Sequence, residues 1–238
     1  MRMHRARVAL RQTLVLAAAI LLAPAAAPGE VRWRAASSSA GEVQRLAAAR
    51  SQSIDLARDP DSGAELVGKP APRWTFDRWL RSKPMALRDL RGKVVLVRWW
   101  TEGCHYCRTT LTVLEQLRRR DAAAGLVVIG VFHPKPPHPV SDRHILEVAD
   151  RIGFRGPIAV DATWKTLDRY WLDGNPERNW TSVSFLIDRD GVIRWVHGGG
   201  EYHPSDDPAH LRCDAEYRGL EQALAQALAE KPGPAALQ

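Results

Sequence analysis

The sequence is poor in several things, and each shortage removes a class of protein. Three cysteines in 238 residues cannot staple a disulfide scaffold, and no apolar run reaches the ~20 residues that span a bilayer comfortably. Seventeen glycines and 16 prolines, without a repeating period, exclude a collagen-like chain. No internal repeat is present, and no basic stripe is interleaved with aromatic residues, so nucleic acid is not expected as a partner. What remains is 45% hydrophobic and 26% charged, the balance of a globular domain of ordinary size with accessory segments.

The net charge of +7 is largely a property of the first residues. Arg2, Arg5, Arg7 and Arg11 lie in a leader without a single acid, and without residues 1–25 the charge falls to +3. An Arg-rich start, an apolar stretch over 13–23 and small residues at Ala23-Pro24-Ala25 and Ala25-Ala26-Ala27 have the layout of a secretory signal peptide. The competing reading is an Ala-rich helix of a cytosolic protein. The expected organisation is a signal peptide or membrane anchor over 1–25, a linker with a short helix over 26–66, a folded domain over 67–230 and a flexible tail over 231–238. The folded part is expected in the periplasm or otherwise outside the cytoplasm.

Within the folded part, apolar periods of two and of about 3.6 residues alternate. Strands are predicted at 73–80, 85–87, 94–100, 126–132, 157–160, 182–188 and 192–197, and helices at 104–120, 141–152 and 207–229. Val94 to Val97 with Trp99 and Trp100 form the β-branched and aromatic run of a strand buried on both faces. Ser141 suits an N-cap, and Asp188-Arg189-Asp190-Gly191 suits a hairpin turn. This order predicts an α/β fold: a central mixed β-sheet flanked by helices, with an N-terminal β extension.

One constellation demands chemistry. Cys104-His105-Tyr106-Cys107 stands where a buried strand gives way to a helix. Thiols at i and i+3 on a first helical turn point the same way and can close a small disulfide ring. Unsatisfied N–H groups and the helix dipole there stabilise a thiolate, lowering a cysteine pKa from ~8.5 into the range ~3.5–7.5. Cys104 is then the nucleophile and Cys107, one turn deeper, resolves the mixed disulfide. His105 and Arg108 add to the effect and Glu102 opposes it. Two rival readings stand beside this one. Structural zinc normally needs a second ligand pair, whereas Cys213 is alone and far downstream. An inert disulfide closing a four-residue loop constrains the unfolded chain little.

Several motifs occur in order: Val67-Gly68-Lys69-Pro70-Ala71-Pro72, Leu87-Arg88-Asp89-Leu90-Arg91-Gly92-Lys93-Val94-Val95-Leu96-Val97, Trp100 with the cysteine pair, Leu126-Val127-Val128-Ile129-Gly130-Val131 and Phe185-Leu186-Ile187-Asp188-Arg189-Asp190-Gly191. Together they resemble the TlpA/ResA branch of thioredoxin-like proteins, and also the thioredoxin-like domain of DipZ-type proteins. The resemblance covers roughly 67–228. It implies a thioredoxin-like fold, an extracytoplasmic setting, and dithiol/disulfide exchange by Cys104 and Cys107 without a cofactor. It also implies action as a reductant on protein disulfides, with a membrane electron donor as a further partner. Against the family pattern, Gly103 replaces a tryptophan, Arg98 replaces a buried acid or Asn, Thr112 replaces a helix-kinking proline, and Ser182 after Thr181 replaces the cis-proline facing the disulfide. A non-proline cis bond costs ~2.5–4 kcal/mol, so a trans peptide is predicted there.

Trp100, His105, Tyr106, Thr181 and Ser182 are the residues expected to contact substrate or tune the pair. His133, His138, His197, His203, His210 and Cys213 raise an alternative function, a copper-binding thioredoxin-like protein that uses the two cysteines and loop histidines. Their spacings match no compact site, so no metal ligand is assigned. Cys213 reads as a partly buried structural cysteine, a regulatory thiol or half of an intermolecular disulfide. Trp164, Trp171, Trp180 and Trp195 read as core or loop anchors, with a peptide-binding surface as the other reading.

Overall fold

A computed structural model describes Asp59 and residues 61–233, all within one compact unit, Gln44–Gln238. The leader, the short helix expected in the linker over 42–57 and residues 234–238 lie outside the described residues.

A six-stranded mixed sheet carries the fold, in the order β1-β4-β3-β2-β5-β6. The strands are β1 (Arg78–Leu80), β2 (Val94–Trp100), β3 (Leu126–Phe132), β4 (Ile158–Val160), β5 (Ser184–Ile187) and β6 (Ile193–His197). β2, β3 and β4 run parallel, while β1, β5 and β6 pair antiparallel to their neighbours. The long helices are α1 (His105–Asp121), α2 (Asp142–Ile152) and α3 (Leu211–Ala229). Ser141 caps α2, its hydroxyl accepting from the His144 N–H at 3.3 Å.

All seven residues of β2 are buried, and the period of two divides them between two cores. Val94, Leu96 and Trp100 pack with Leu111 and Leu114 of α1, Ile145 of α2 and Leu220 of α3. Val95, Val97 and Trp99 face Trp74, Leu167, Tyr170 and Trp171 on the other side. There a short helix, Lys165–Leu167, continues as a π-helical turn, Asp168–Leu172.

Three expectations need correction. The strand expected over 73–80 shrinks to Arg78–Leu80, because the Thr75 backbone pairs with the Thr166 side chain rather than with a strand. The strand expected at 85–87 is absent. Asp89 accepts the Ala86 N–H at 2.9 Å and winds Leu87–Leu90 into a 3-10 turn, a side-chain bond that competes with strand pairing. The helix expected over 207–229 opens as a separate 3-10 turn, Pro208–His210, before α3.

Arg98 lies on the helix side of β2 and is fully buried, with no ion-pairing carboxylate among the described residues. It donates to the Ser184 hydroxyl at 3.2 Å and to the Gly200 carbonyl at 2.8 Å, and approaches His197 Nδ1 at 3.4 Å. Its guanidinium sits 5.7 Å from the centre of the Tyr202 ring. Burial pushes its pKa down to about 10, which leaves it charged at neutral pH. Replacing a buried charge by an apolar group of similar volume is commonly close to neutral, whereas truncation opens a cavity and orphans its partners. Arg98→Ala is therefore expected to lower unfolding stability in urea by about 3 kcal/mol. Arg98→Met is expected to lose less than half of that; equal losses would show that hydrogen bonding, not packing, dominates.

Candidate active site

β2 ends at Trp100, and four residues, 101–104, separate it from the start of α1 at His105. The turn between them needs a left-handed residue, supplied by Gly103 at φ 71°. A Cβ at Gly103 would meet open space, so backbone conformation rather than crowding favours glycine here. Cys104 is the N-cap of α1, not its first residue, and its sulfur accepts the Cys107 N–H at 3.1 Å. That bond places Cys104 Sγ on an orphan donor of the first helical turn.

Cys104 and Cys107 are joined as a disulfide, their Cα atoms 5.2 Å apart. Cys104 is partly exposed and Cys107 is fully enclosed in the core. The two sulfurs thus differ in access, the asymmetry a nucleophile and a resolving thiol require.

Ser182 faces the pair, its hydroxyl oxygen 3.2 Å from Cys107 Sγ and 4.0 Å from Cys104 Sγ. A disulfide sulfur carries no proton, so the hydroxyl is the donor in this state. The Thr181–Ser182 peptide is trans, as expected. Thr181 Oγ1 lies 2.9 Å from Nε2 of buried His133, whose own N–H donates to the Trp100 carbonyl at 3.0 Å. His133 thereby links the end of β2 to the segment opposite the disulfide, a contact that sequence spacing did not disclose.

Tyr106 and Trp180 are 42% and 44% exposed, and their rings meet edge to face 6.1 Å apart. His105 is exposed, its ring 6.0 Å from that of Tyr106. Trp100 is fully enclosed, its ring edge-on to Phe132 at 4.9 Å, so it backs the site through packing and offers no surface to a substrate. Of the four tryptophans considered as a peptide surface, Trp180 alone stands beside the disulfide. Trp171 is buried, Trp164 donates to the Pro134 carbonyl at 2.8 Å, and Trp195 packs on Tyr202.

Cys104 borders two clefts. One, of about 340 Å³, runs past Trp180, Thr181, Ser182 and Lys135; the other, of about 380 Å³, runs past Arg108, Val148 and Arg151. Glu102, the acid nearest in sequence, is paired with His144 at 2.5 Å.

A model of the AhpC/TSA family matches residues 67–196. The chain belongs to that family. Among curated members of known sequence, Protein DipZ of Mycobacterium tuberculosis is 29% identical over 165 residues, which are 65% of this chain and 22% of DipZ. The thiol-disulfide oxidoreductase ResA of Bacillus anthracis is 26% identical over 127 residues, 53% of this chain and 66% of ResA. The chain thus spans about a fifth of the first relative and just under two thirds of the second. A crystal structure of a thiol-disulfide isomerase from Corynebacterium glutamicum superposes with a TM-score of 0.52 at 25% identity, covering 68% of this chain and 98% of that one. The fold of this AhpC/TSA-family chain is thioredoxin-like, as the motifs implied.

The histidines do not converge on the cysteine pair. His138 is exposed, with Nδ1 2.7 Å from the Pro136 carbonyl oxygen, and His197 is buried against Arg98. His203, His210 and Cys213 gather with Glu201, a group that includes neither Cys104 nor Cys107. Burial pushes the Cys213 thiol pKa up, the neighbouring Glu201 charge acting in the same direction.

Burial holds both His133 and His197 neutral, His133 down to about 3 and His197 well below its ordinary value, with the Arg98 charge adding to each. The unfolded chain takes up protons on these imidazoles below pH ~6.5 while the folded chain does not, so stability falls as pH drops from about 6.5 towards 3. His133→Gln removes one of the two groups. Its urea stability between pH 6 and 4 is expected to fall less steeply than that of the wild type, by up to about 1.4 kcal/mol per pH unit. Parallel pH profiles would show that His133 titrates normally in the folded chain.

Proposed function

We propose that the chain is an extracytoplasmic thiol:disulfide oxidoreductase that reduces protein disulfides through Cys104 and Cys107. The observation that carries this reading is a disulfide at the start of α1 with one sulfur accessible and the other enclosed. The relatives named thiol-disulfide oxidoreductases support the reaction class, and the Arg-rich leader supports export. The reducing direction rests on the resemblance to the TlpA/ResA branch.

In the reduced protein, the Cys104 thiolate attacks one sulfur of a substrate disulfide, and the other substrate sulfur leaves as a thiolate that takes a proton from water. Cys107 loses its proton and attacks Cys104 Sγ. The Cys104–Cys107 bond forms, the mixed disulfide breaks and the second substrate thiol departs. The substrate gains two electrons and the cysteine pair loses two. A dithiol partner, in the membrane or near it, resets the pair by the same exchange run in reverse.

The surroundings suit this work. The Cys107 N–H on Cys104 Sγ stabilises a thiolate there. The exposed Tyr106 and Trp180 rings flank the accessible sulfur and offer an apolar seat for an extended polypeptide. Thr181 borders the same cleft as the accessible sulfur.

Cys104→Ser is expected to abolish turnover of a protein disulfide. Cys107→Ser is expected to accumulate disulfide-linked partners, resolved by non-reducing electrophoresis of the cellular fraction; a variant that collects none would remove the exchange mechanism. For the aromatic seat, Trp180→Ala is expected to lower kcat/KM for a disulfide-bonded polypeptide roughly tenfold while leaving the rate with dithiothreitol within twofold. Equal losses with both substrates would place Trp180 in the architecture of the pair rather than in the seat.

A further inference from the structure

A second constellation lies away from the cysteine pair. Glu201 and His203 leave β6 on a loop, with fully buried Tyr202 between them, while His210 and Cys213 sit three residues apart where α3 begins. One ligand atom from each of the four lies within 4.8 Å of every other. His210 Nδ1 is 3.7 Å from Cys213 Sγ and 3.9 Å from a Glu201 carboxylate oxygen, and the two imidazole rings are 4.9 Å apart.

These separations are close to those of a filled site. Bond lengths of about 2.0 Å to nitrogen or oxygen and 2.3 Å to sulfur put neighbouring tetrahedral ligands roughly 3.3–3.6 Å apart. Closing the group on a cation would shorten the two His210 edges by a few tenths of an ångström and the longest of the others by up to about 1.5 Å.

The orientation of the donors points the same way. His203 Nδ1 lies 3.1 Å from the Pro204 carbonyl oxygen, so that nitrogen carries the proton and Nε2 the free lone pair, the arrangement that orients metal-binding imidazoles. The His203 N–H donates to the Cys213 carbonyl at 3.3 Å and fixes the loop to the helix. Arg98 holds the Gly200 carbonyl immediately before Glu201. The Glu201 carboxylate is only 10% exposed, and its ion-pair contact among the described residues is His210.

We propose that Glu201, His203, His210 and Cys213 form a zinc(II) site that pins the loop after β6 to the start of α3. The donor set is mixed nitrogen, sulfur and oxygen, which suits this borderline cation. On binding, the Cys213 thiol gives its proton to solvent as the metal–sulfur bond forms, and one thiolate with one carboxylate neutralises the divalent charge. Four protein ligands leave no open position, so the role is structural.

The test uses the full chain in its oxidised form, where the closed Cys104–Cys107 disulfide cannot compete for metal. Zinc(II) is titrated against a chromophoric chelator, and cobalt(II) is used as a spectroscopic probe. The expected result is one zinc per chain, tetrahedral visible bands and a thiolate-to-cobalt charge-transfer band. The thermal midpoint is expected to rise roughly 5–10 °C at a hundredfold excess over Kd. Cys213→Ala is expected to weaken zinc binding at least about 100-fold and to remove the charge-transfer band; His203→Ala is expected to weaken it about 10- to 100-fold. Far-UV circular dichroism checks the fold of each, and His203→Ala carries the test if Cys213→Ala does not fold. Absence of saturable zinc binding by the oxidised chain would overturn the proposal. So would an affinity that neither variant changes, or that disappears only when Cys104 and Cys107 are replaced.

Discussion

The site depends on where one strand stops. β2 is buried on both faces along its whole length, locked between β3 and β5 in the centre of the sheet. A strand so enclosed cannot slip by one residue, because every side chain would change cores. Its end at Trp100, and with it the start of α1 after Gly103, is therefore fixed by burial rather than by anything at the cysteines. The Cys107 N–H that Cys104 Sγ accepts is supplied by this placement. Chemistry at the helix start is a consequence of packing beneath it.

The same strand carries the fold's least expected residue. Arg98 brings a charge into the core without an acid to meet it among the described residues, and donates to Ser184 and the Gly200 carbonyl. Ser184 in turn lies 3.0 Å from the Tyr202 hydroxyl. This polar network joins β2 and β5 to the loop after β6, the loop that bears Glu201 and His203. Two regions with different chemistry, the cysteine pair and the Glu201 cluster, are thus anchored through one strand. Polar groups enclosed in this way specify a single arrangement more than they add stability, since their desolvation offsets much of what their contacts contribute.

Much of this was legible in the residues. The runs at 94–100 and 126–132 match β2 and β3 in full, because a strand buried on both faces leaves a long apolar signature. The Asp188–Gly191 turn and the Ser141 cap act within a few residues and were readable for that reason. The extension before β2 was misread where Asp89 and Thr75 satisfy backbone groups locally or across the fold, since apolar alternation is silent about such bonds. Trp100 was placed correctly on the strand, but not its complete enclosure, which Phe132 from a neighbouring strand provides.

The sequence alone determined the cysteine pair, its position between a buried strand and a helix, and an order of elements that predicts a mixed α/β sheet, all from local spacing and hydrophobic period; that the sheet is thioredoxin-like was implied by the resemblance of its motifs. Tertiary structure decided which sulfur reaches solvent, that His133 holds Thr181 opposite the pair, and that Glu201 joins His203, His210 and Cys213. Those relations unite residues tens of positions apart, or a loop with a helix. They depend on how separate elements pack, and no period along one chain encodes a distance between two of them.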